Sequence, residues 1–204
     1  MKRIKLLVLL LTAILVGCAS AQRMSEADRQ NLSTIAINTQ IEKPEKMYYL
    51  GPNIGWLFGG IGGLIAGEMQ KPARNSLQAF AESNDINIED IVLEESREAF
   101  ENFGKVSLTD GSNPQSATLN IVITQYGFSI PTGFSTEVVP IVHIKCSLVD
   151  VSGKIIWSAN DYTAPLGNPV ESMALEDLKS NPELIANAWR VATRIILENI
   201  VKTL

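Results

Sequence analysis

Few residues in this sequence have the types and spacing that chemistry requires. His143 is the only histidine among 204 residues, which excludes a relay of several histidines and a multi-histidine metal site. It shares a predicted strand face with Lys145, so we expect it to be a partly exposed strand residue. Cys146 falls on the apolar face of the same strand, where no cation would lower the pKa of its thiol. We therefore expect Cys146 to be buried and unreactive.

A predicted helix over residues 87–103 carries a cluster of carboxylates. They are Glu89, Asp90, Glu94, Glu95, Glu98 and Glu101. Paired carboxylates can transfer protons or bind a cation. Arg97 lies three residues after Glu94 and four before Glu101, at ion-pair spacing, which favours a solvated helix face. No serine-hydrolase, phosphate-loop or zinc-protease motif occurs, so we expect no catalytic residue, no cofactor and no metal site.

Cys18 ends a segment with the features of a secretory signal peptide. A basic start is followed by the apolar run 6–16 and by Gly17, a small residue. The motif Leu15-Val16-Gly17-Cys18 resembles the lipobox of bacterial lipoproteins. The resemblance implies cleavage before Cys18 and attachment of a diacylglyceryl thioether, usually with an N-acyl chain. An ordinary signal peptide or an uncleaved anchor is the alternative, but an eleven-residue apolar core is short for a membrane span.

The lipid anchor and the residue after it also predict where the protein is located. Two or three acyl chains hold a protein at a bilayer essentially permanently, whereas one chain binds marginally. In lipoproteins of the enteric type, Asp after the cysteine favours retention at the inner membrane. Ala19 occupies that position here, so the resemblance implies export to the outer membrane, with the protein on its periplasmic side.

The composition of the mature chain limits which classes of molecule it can bind electrostatically. Removal of residues 1–17 leaves 187 residues with 14 basic and 22 acidic side chains, a formal charge of −8. This balance disfavours nucleic acid and anionic lipid headgroups as electrostatic partners. Once Cys18 is lipidated, Cys146 is the only remaining cysteine, so no intrachain disulfide can form.

A glycine ladder lies in the uncharged segment 47–67. Its members recur at steps of four: Gly51, Gly55, Gly59, Gly63 and Gly67. In a helix this step lines the glycines along one side, as a groove into which a second helix can pack closely. A helix over residues 52–69 would be about 27 Å long, close to a hydrocarbon core of about 30 Å.

Three interpretations of the ladder stay open. A glycine costs roughly 1 kcal/mol relative to alanine inside a helix, so a water-exposed helix here would melt. The segment therefore inserts in a membrane or oligomerises, packs within the chain as a helix or hairpin, or forms an ordered glycine loop.

Periodicity in the rest of the chain predicts an α+β domain. Helical patterns cover 72–83, 87–103 and 181–204, and strand patterns cover 33–41, 106–108, 118–128, 138–149 and 154–159. Asn181 and Pro182 start the last helix, whose apolar stripe includes Trp189. We expect an antiparallel sheet of about four to five strands, amphipathic helices packed on one face, and a glycine-rich apolar segment. The predicted organisation is a signal peptide 1–17, a lipidated tether 18–32 and one domain 33–204 with the glycine-rich insertion 47–70.

The predicted hairpin carries a second resemblance. Residues 148–157 read L-V-D-V-S-G-K-I-I-W, with a turn at 150–153. This phrase and the element order resemble small envelope lipoproteins with a TolB-N-terminal-like or curli-secretion-like α/β domain. That resemblance implies no catalytic residues.

Two functions agree with these patterns. The first is a non-enzymatic, lipid-anchored outer-membrane lipoprotein that binds a protein partner in cell-envelope assembly or maintenance. The second is a membrane-active oligomer, or a secretion-complex component, that packs through the 51–67 ladder.

Overall fold

The chain builds one mixed sheet of seven strands with helices against it. The computed structural model describes residues 21–51, 70–109, 116–133 and 135–204, without the side chains of residues 31 and 70–73. The helices in these ranges are α1 (Glu26–Asn31), α2 (Gln70–Ser83), α3 (Ile88–Phe103), α4 (Leu175–Ser180) and α5 (Glu183–Val201). The strands are β1 (Thr34–Ile37), β2 (Tyr48–Leu50), β3 (Ser107–Thr109), β4 (Ala117–Ser129), β5 (Glu137–Val149), β6 (Ile155–Tyr162) and β7 (Met173–Ala174).

The long strands β4 and β5 pair antiparallel at the centre of the sheet. The strand order is β3-β1-β4-β5-β6, with β2 also on β4 and β7 also on β5. β1 and β2 run parallel to β4, and a bridge from Glu42 to Val122 lies between them. Residues 34–50 thus follow the whole edge of β4.

We expected an antiparallel sheet of about four to five strands. The observed sheet has seven strands, and β1 and β2 run parallel to β4 instead of antiparallel to it. β2 spans only three residues, too few to show an alternating pattern. Pro44 and charged residues separate β2 from β1, which hides the continuity of the edge in the sequence.

A β-bulge keeps the apolar side of β4 facing the helices. The register shifts between Ile123 and Gln125, which leaves Thr124 as the extra residue. Ile123 and Tyr126 are both buried although three positions separate them, so the phase of alternation changes at the bulge. The predicted alternation was correct up to Thr124.

One face of the sheet carries the main core. α5 lies across β5 and β6, and α3 packs along α5. Trp189 of α5 is fully buried, with its ring centroid 5.7 Å from those of both Phe128 and Tyr126. Its indole nitrogen donates to the carbonyl oxygen of Gly127 at 3.3 Å. The predicted combination of helices and a sheet is confirmed, with α5 packed on the sheet.

Gly127 is required where β2 meets β4. Its φ is +141°, and an added Cβ would lie 1.8 Å from the carbonyl oxygen of Tyr48. No other residue fits this approach without displacing β2.

The turn predicted at 150–153 is present between β5 and β6. One carboxylate oxygen of Asp150 accepts from the backbone amides of Ser152 and Lys154 and from the Ser152 hydroxyl. The Ser152 bond is the largest cause of the lowered pKa of Asp150. Gly153 takes a φ of +85°, as its position in the turn requires.

The helix boundaries follow the sequence closely. α3 ends at Gly104, which has φ +69° and ψ 2°, the left-handed cap conformation. α5 begins at Glu183, with Pro182 at the cap position and no side-chain cap hydrogen bond. Asn181, which was predicted to start this helix, instead ends α4, where its backbone amide donates to the carbonyl oxygen of Asp177. None of the described helices combines the length and apolarity needed to span a membrane.

Residues 22–31 belong to the packed domain, which shortens the tether expected over 18–32. Gln22 bridges Ser158 of β6, and its side-chain amide donates to the carbonyl oxygen of Ile155 at 2.8 Å. Met24 is 6% exposed. Ser25 caps α1 by accepting from the amide of Asp28. The polar composition of this segment suggested a tether, because Met24 is the one buried side chain among residues 22–30.

Candidate functional site

The residues predicted to carry the function fall mostly outside the described ranges. Cys18 and the ladder positions Gly55, Gly59, Gly63 and Gly67 lie there. Gly51 is described, in a bend directly after β2, so a single helix does not include all five ladder glycines. An added Cβ at Gly51 would lie 2.5 Å from the hydroxyl oxygen of Tyr49, so this glycine makes close contact within its own chain.

A buried carboxylate joins α3 to α5. The side chain of Glu95 is 2% exposed. Arg194 donates to both of its oxygens, at 2.9 and 3.1 Å, in a bidentate pair. Arg190 adds a nitrogen 3.6 Å from Glu95. These hydrogen bonds are the main reason that the pKa of Arg194 is raised.

Four of the six α3 carboxylates are exposed, as the predicted solvated face requires, whereas Glu95 is buried and Glu89 is half-buried. Glu94 pairs with Arg190 at 3.7 Å instead of with Arg97. Glu89 pairs with Lys43 at 2.8 Å, and Lys43 also lies 5.5 Å from the ring centroid of Tyr126. Spacing within one helix predicts only the partners on that helix, such as Arg97. It does not predict Arg190 of α5 or Lys43, which lie elsewhere in the chain.

A small groove opens beside the Glu95–Arg194 pair. Its cavity volume is about 260 Å³. Ala99, Phe103 and Val201 contribute its apolar surface. The polar lining is Glu95, Glu98, Asn102, Arg194, Glu198 and Lys202. An apolar surface bordered by charges suits an apolar side chain of another protein that lies next to a basic one.

His143 and Cys146 take the positions that we predicted. His143 is half-buried, with its ring centroid 4.9 Å from that of Tyr162, and desolvation lowers its pKa. Cys146 is fully buried, and burial raises the pKa of its thiol to about 12. Such a thiol has no thiolate available for nucleophilic attack at neutral pH.

No group of three or more histidine, cysteine, aspartate or glutamate side chains in the described ranges is arranged to hold a metal ion. The chemistry that the described groove offers is therefore ion pairing, hydrogen bonding and apolar contact.

The pair of Glu95 and Arg194 was missed at the level of sequence, although a signal existed. Ile88, Ile91 and Val92 form the buried stripe of α3, and Glu95 continues that stripe at helical spacing. A carboxylate inside an apolar stripe requires a cationic partner. The sequence does not say which arginine supplies it, because that depends on how α5 crosses α3.

Comparison with known proteins finds fold similarities only. Neither a protein-family model nor a curated protein matches the sequence. The chain is similar to a PelC dodecamer structure from Paraburkholderia phytofirmans, with 13% identity, coverage of 91% of this chain and 95% of that chain, and a TM-score of 0.37.

Two further solved structures are similar to this chain. The Xanthomonas campestris protein XCC0632, of the DUF330 family model, is 12% identical, with 90% and 85% coverage and a TM-score of 0.44. Lipoprotein GNA1162 of Neisseria meningitidis is 19% identical, with 76% and 96% coverage and a TM-score of 0.27. Similarities at this level determine neither a family nor a function for the chain.

Proposed function

We propose that this protein is a lipid-anchored outer-membrane lipoprotein that faces the periplasm and binds a protein partner in cell-envelope assembly or maintenance. The observation that carries the proposal is the basic, apolar leader that ends in Leu15-Val16-Gly17-Cys18. The protein acts by binding and not by catalysis. Its single histidine and its buried, protonated Cys146 support this part.

The attachment of the N-terminal segment supports a membrane-proximal domain. Gln22 is hydrogen-bonded to β6, so only residues 19–21 separate Cys18 from a fixed point on the domain. Three or four extended residues reach about 10–14 Å. An acylated Cys18 would therefore hold the domain against the bilayer surface.

Replacing Cys18 tests the anchor. In cells, Cys18→Ser should abolish incorporation of labelled palmitate and remove the protein from the outer-membrane fraction. The matched control is Cys146→Ala, which removes the other cysteine and should leave labelling and fractionation unchanged. Palmitate on the Cys18→Ser protein, or its unchanged maturation and flotation with outer membranes, would refute the proposal.

The groove beside Glu95 is our candidate for the partner-binding surface. Ala99→Arg would fill its apolar surface and add a charge. After crosslinking in intact cells, the adduct of the wild-type protein should be lost in Ala99→Arg. It should persist in Lys145→Glu, a change on the opposite sheet face. An adduct that survives Ala99→Arg would place the partner elsewhere.

A second candidate function is the membrane-active oligomer, favoured by the four-residue glycine spacing over 51–67. Gly59→Leu or Gly63→Leu would then reduce oligomer size and expose residues 51–67 to protease in mild detergent. Unchanged size and unchanged protection in both variants would reject this function.

A further inference from the structure

A cavity lined by basic residues lies at the end of the molecule where the N-terminal segment enters. Its volume is about 450 Å³. The lining combines the start of the described chain, α1, β6 and the end of α5: Ala21, Gln22, Arg23, Arg29, Trp157, Ser158, Lys202 and Thr203. Three of these side chains are cationic and none is acidic. A smaller cavity nearby shares Arg29 and adds Lys105, so the positive charge extends beyond the first cavity.

The three cations have no acidic partner. Within the described part of the chain, Arg23, Arg29 and Lys202 form no ion pair, and all three are exposed. Asp28 of α1 instead accepts a hydrogen bond from Ser25 and lies 3.7 Å from Lys154. Lys202 donates only to the neutral amide of Asn199. This arrangement leaves three positive charges available to one external anion.

The remaining lining provides polar groups around those charges. Ser158 presents a hydroxyl that accepts from the backbone amide of Gln22 and can still donate its own proton. The Thr203 hydroxyl is already used, because it donates to the carbonyl oxygen of Ile200 and accepts from the indole N–H of the fully buried Trp157. A phosphate diester needs several donors around its oxygens. The three cations and the Ser158 hydroxyl supply them.

The formal charge of −8 on the mature chain disfavours anionic ligands, whereas the cations of this cavity favour them. The distance of each charge from the ligand decides which effect is larger. At physiological salt the Debye length is about 8 Å, so a ligand in this cavity feels mainly the cations that line it. Of the three cations, Lys202 also borders the groove beside Glu95, where Glu98 and Glu198 lie. Arg23 and Arg29 do not line that groove, and the acidic groups act on them through a screened, longer path.

The position of the cavity identifies the source of the phosphate. The chain passes from Ala21, in the wall of the cavity, to Cys18 in three residues. Three extended residues span about 10 Å, so lipid attached to Cys18 brings phospholipid headgroups within reach of the cavity. This step rests on the proposed lipid anchor.

We propose that Arg23, Arg29 and Lys202 form a binding site for the phosphate of an anionic phospholipid headgroup in the membrane that anchors the protein. The acyl chains on Cys18 hold the protein at the bilayer, and this site fixes which face of the domain meets it. Basic residues near an anionic membrane surface each strengthen binding, so loss of all three should weaken headgroup binding by about a hundredfold.

Native mass spectrometry of the purified lipoprotein in dodecylmaltoside tests the site. The probes are dihexanoylphosphatidylglycerol, dihexanoylphosphatidylcholine and inorganic phosphate, titrated at low and high salt. The test variant is Arg23→Gln with Arg29→Gln and Lys202→Gln. The control variant is Arg97→Gln with Lys145→Gln and Lys179→Gln, three exposed basic residues elsewhere whose loss changes the net charge equally.

The expected result is a phosphatidylglycerol complex of the wild-type and control proteins that is at least tenfold tighter than the phosphatidylcholine complex and weakens at high salt. The test variant should bind both lipids equally weakly. Equal binding of the two lipids by the wild type, phosphatidylglycerol binding that survives in the test variant, or phosphate binding as tight as that of the lipid would overturn the proposal.

The same spectra separate this inference from the anchor. The intact mass reports whether Cys18 carries acyl chains, independently of any added lipid. A protein without acyl chains that still selects phosphatidylglycerol through these residues would refute the anchor and retain the site. An acylated protein that binds phosphatidylglycerol and phosphatidylcholine equally would retain the anchor and refute the site.

Discussion

At the scale of single residues, Glu95 places a carboxylate in the buried contact between α3 and α5. Its carboxylate is almost fully buried and depends on Arg194 and Arg190 of the neighbouring helix. Removing one member of such a pair leaves a buried charge without compensation, which costs more than the pair itself contributes.

Arg194→Met should therefore destabilise the protein by about 3 kcal/mol, seen as a lower urea midpoint with an unchanged m-value. The double change Glu95→Met with Arg194→Met should recover most of this loss, because apolar side chains then fill the space. The exposed Arg97→Met is the control and should stay within about 0.5 kcal/mol of wild type. A single Arg194→Met variant as stable as wild type would show that Arg190 alone compensates Glu95.

The thiol of Cys146 predicts a pH dependence. A cysteine in an unfolded chain ionises near pH 8.5, whereas burial raises the pKa of Cys146 to about 12. The thiol therefore contributes stability that is fully present below pH 8.5 and is lost as the pH rises towards 12, by up to about 1.4 kcal/mol per pH unit. Cys146→Ala should unfold with a shallower fall in stability between pH 8 and 10. Parallel curves for the two proteins would contradict burial of this thiol.

At the scale of the elements, periodic segments could be predicted and short segments could not. α3 and α5 each repeat their apolar residues over several turns, so their existence was visible in the sequence, although α5 is shorter at both ends than the predicted 181–204. β2 has three residues and depends on β4 for its hydrogen bonds. The bulge at Thr124 was equally hidden, because β-branched and apolar residues continue on both sides of it.

Gly127 tests how β2 is held against β4. Gly127→Ala would place a methyl group 1.8 Å from the Tyr48 carbonyl oxygen at a φ of +141°. We expect loss of hydrogen-exchange protection over residues 48–51 and destabilisation of about 2 kcal/mol or more. Gly153→Ala is the matched control, since it also has positive φ but meets no atom within 4 Å, and it should cost about 1 kcal/mol. Equal effects of the two changes would mean that strain alone, not the approach of β2, constrains Gly127.

At the scale of the whole molecule, the N-terminal segment is part of the fold. Met24 lies in the hydrophobic core, and Gln22 covers part of the outer edge of β6. The composition of residues 19–32 did not predict this, since a single buried methionine gives no periodic pattern.

A mature chain shortened to begin at residue 33 should be less stable than one that begins at residue 21. Burial of a methionine side chain contributes about 1.5–3 kcal/mol, and the bonds of Gln22 and α1 add to it. We expect a lower thermal midpoint for the shorter chain, with intact helical circular dichroism below the transition. Equal midpoints would show that residues 22–31 pack without contributing stability.

The parallel edge of the sheet also sets an order of events during folding. β1 and β2 pair with β4, whose partner residues lie 82 and 79 positions further along the chain, respectively. Neither strand can form its hydrogen bonds to β4 until β4 has left the ribosome and, in a secreted chain, has crossed the membrane. Sheets closed by such distant contacts fold slowly, on the scale of milliseconds to seconds. β1 and β2 are therefore made long before β4, the strand with which they pair. In that interval their exposed backbone groups depend on the factors that protect unpaired strands in that compartment.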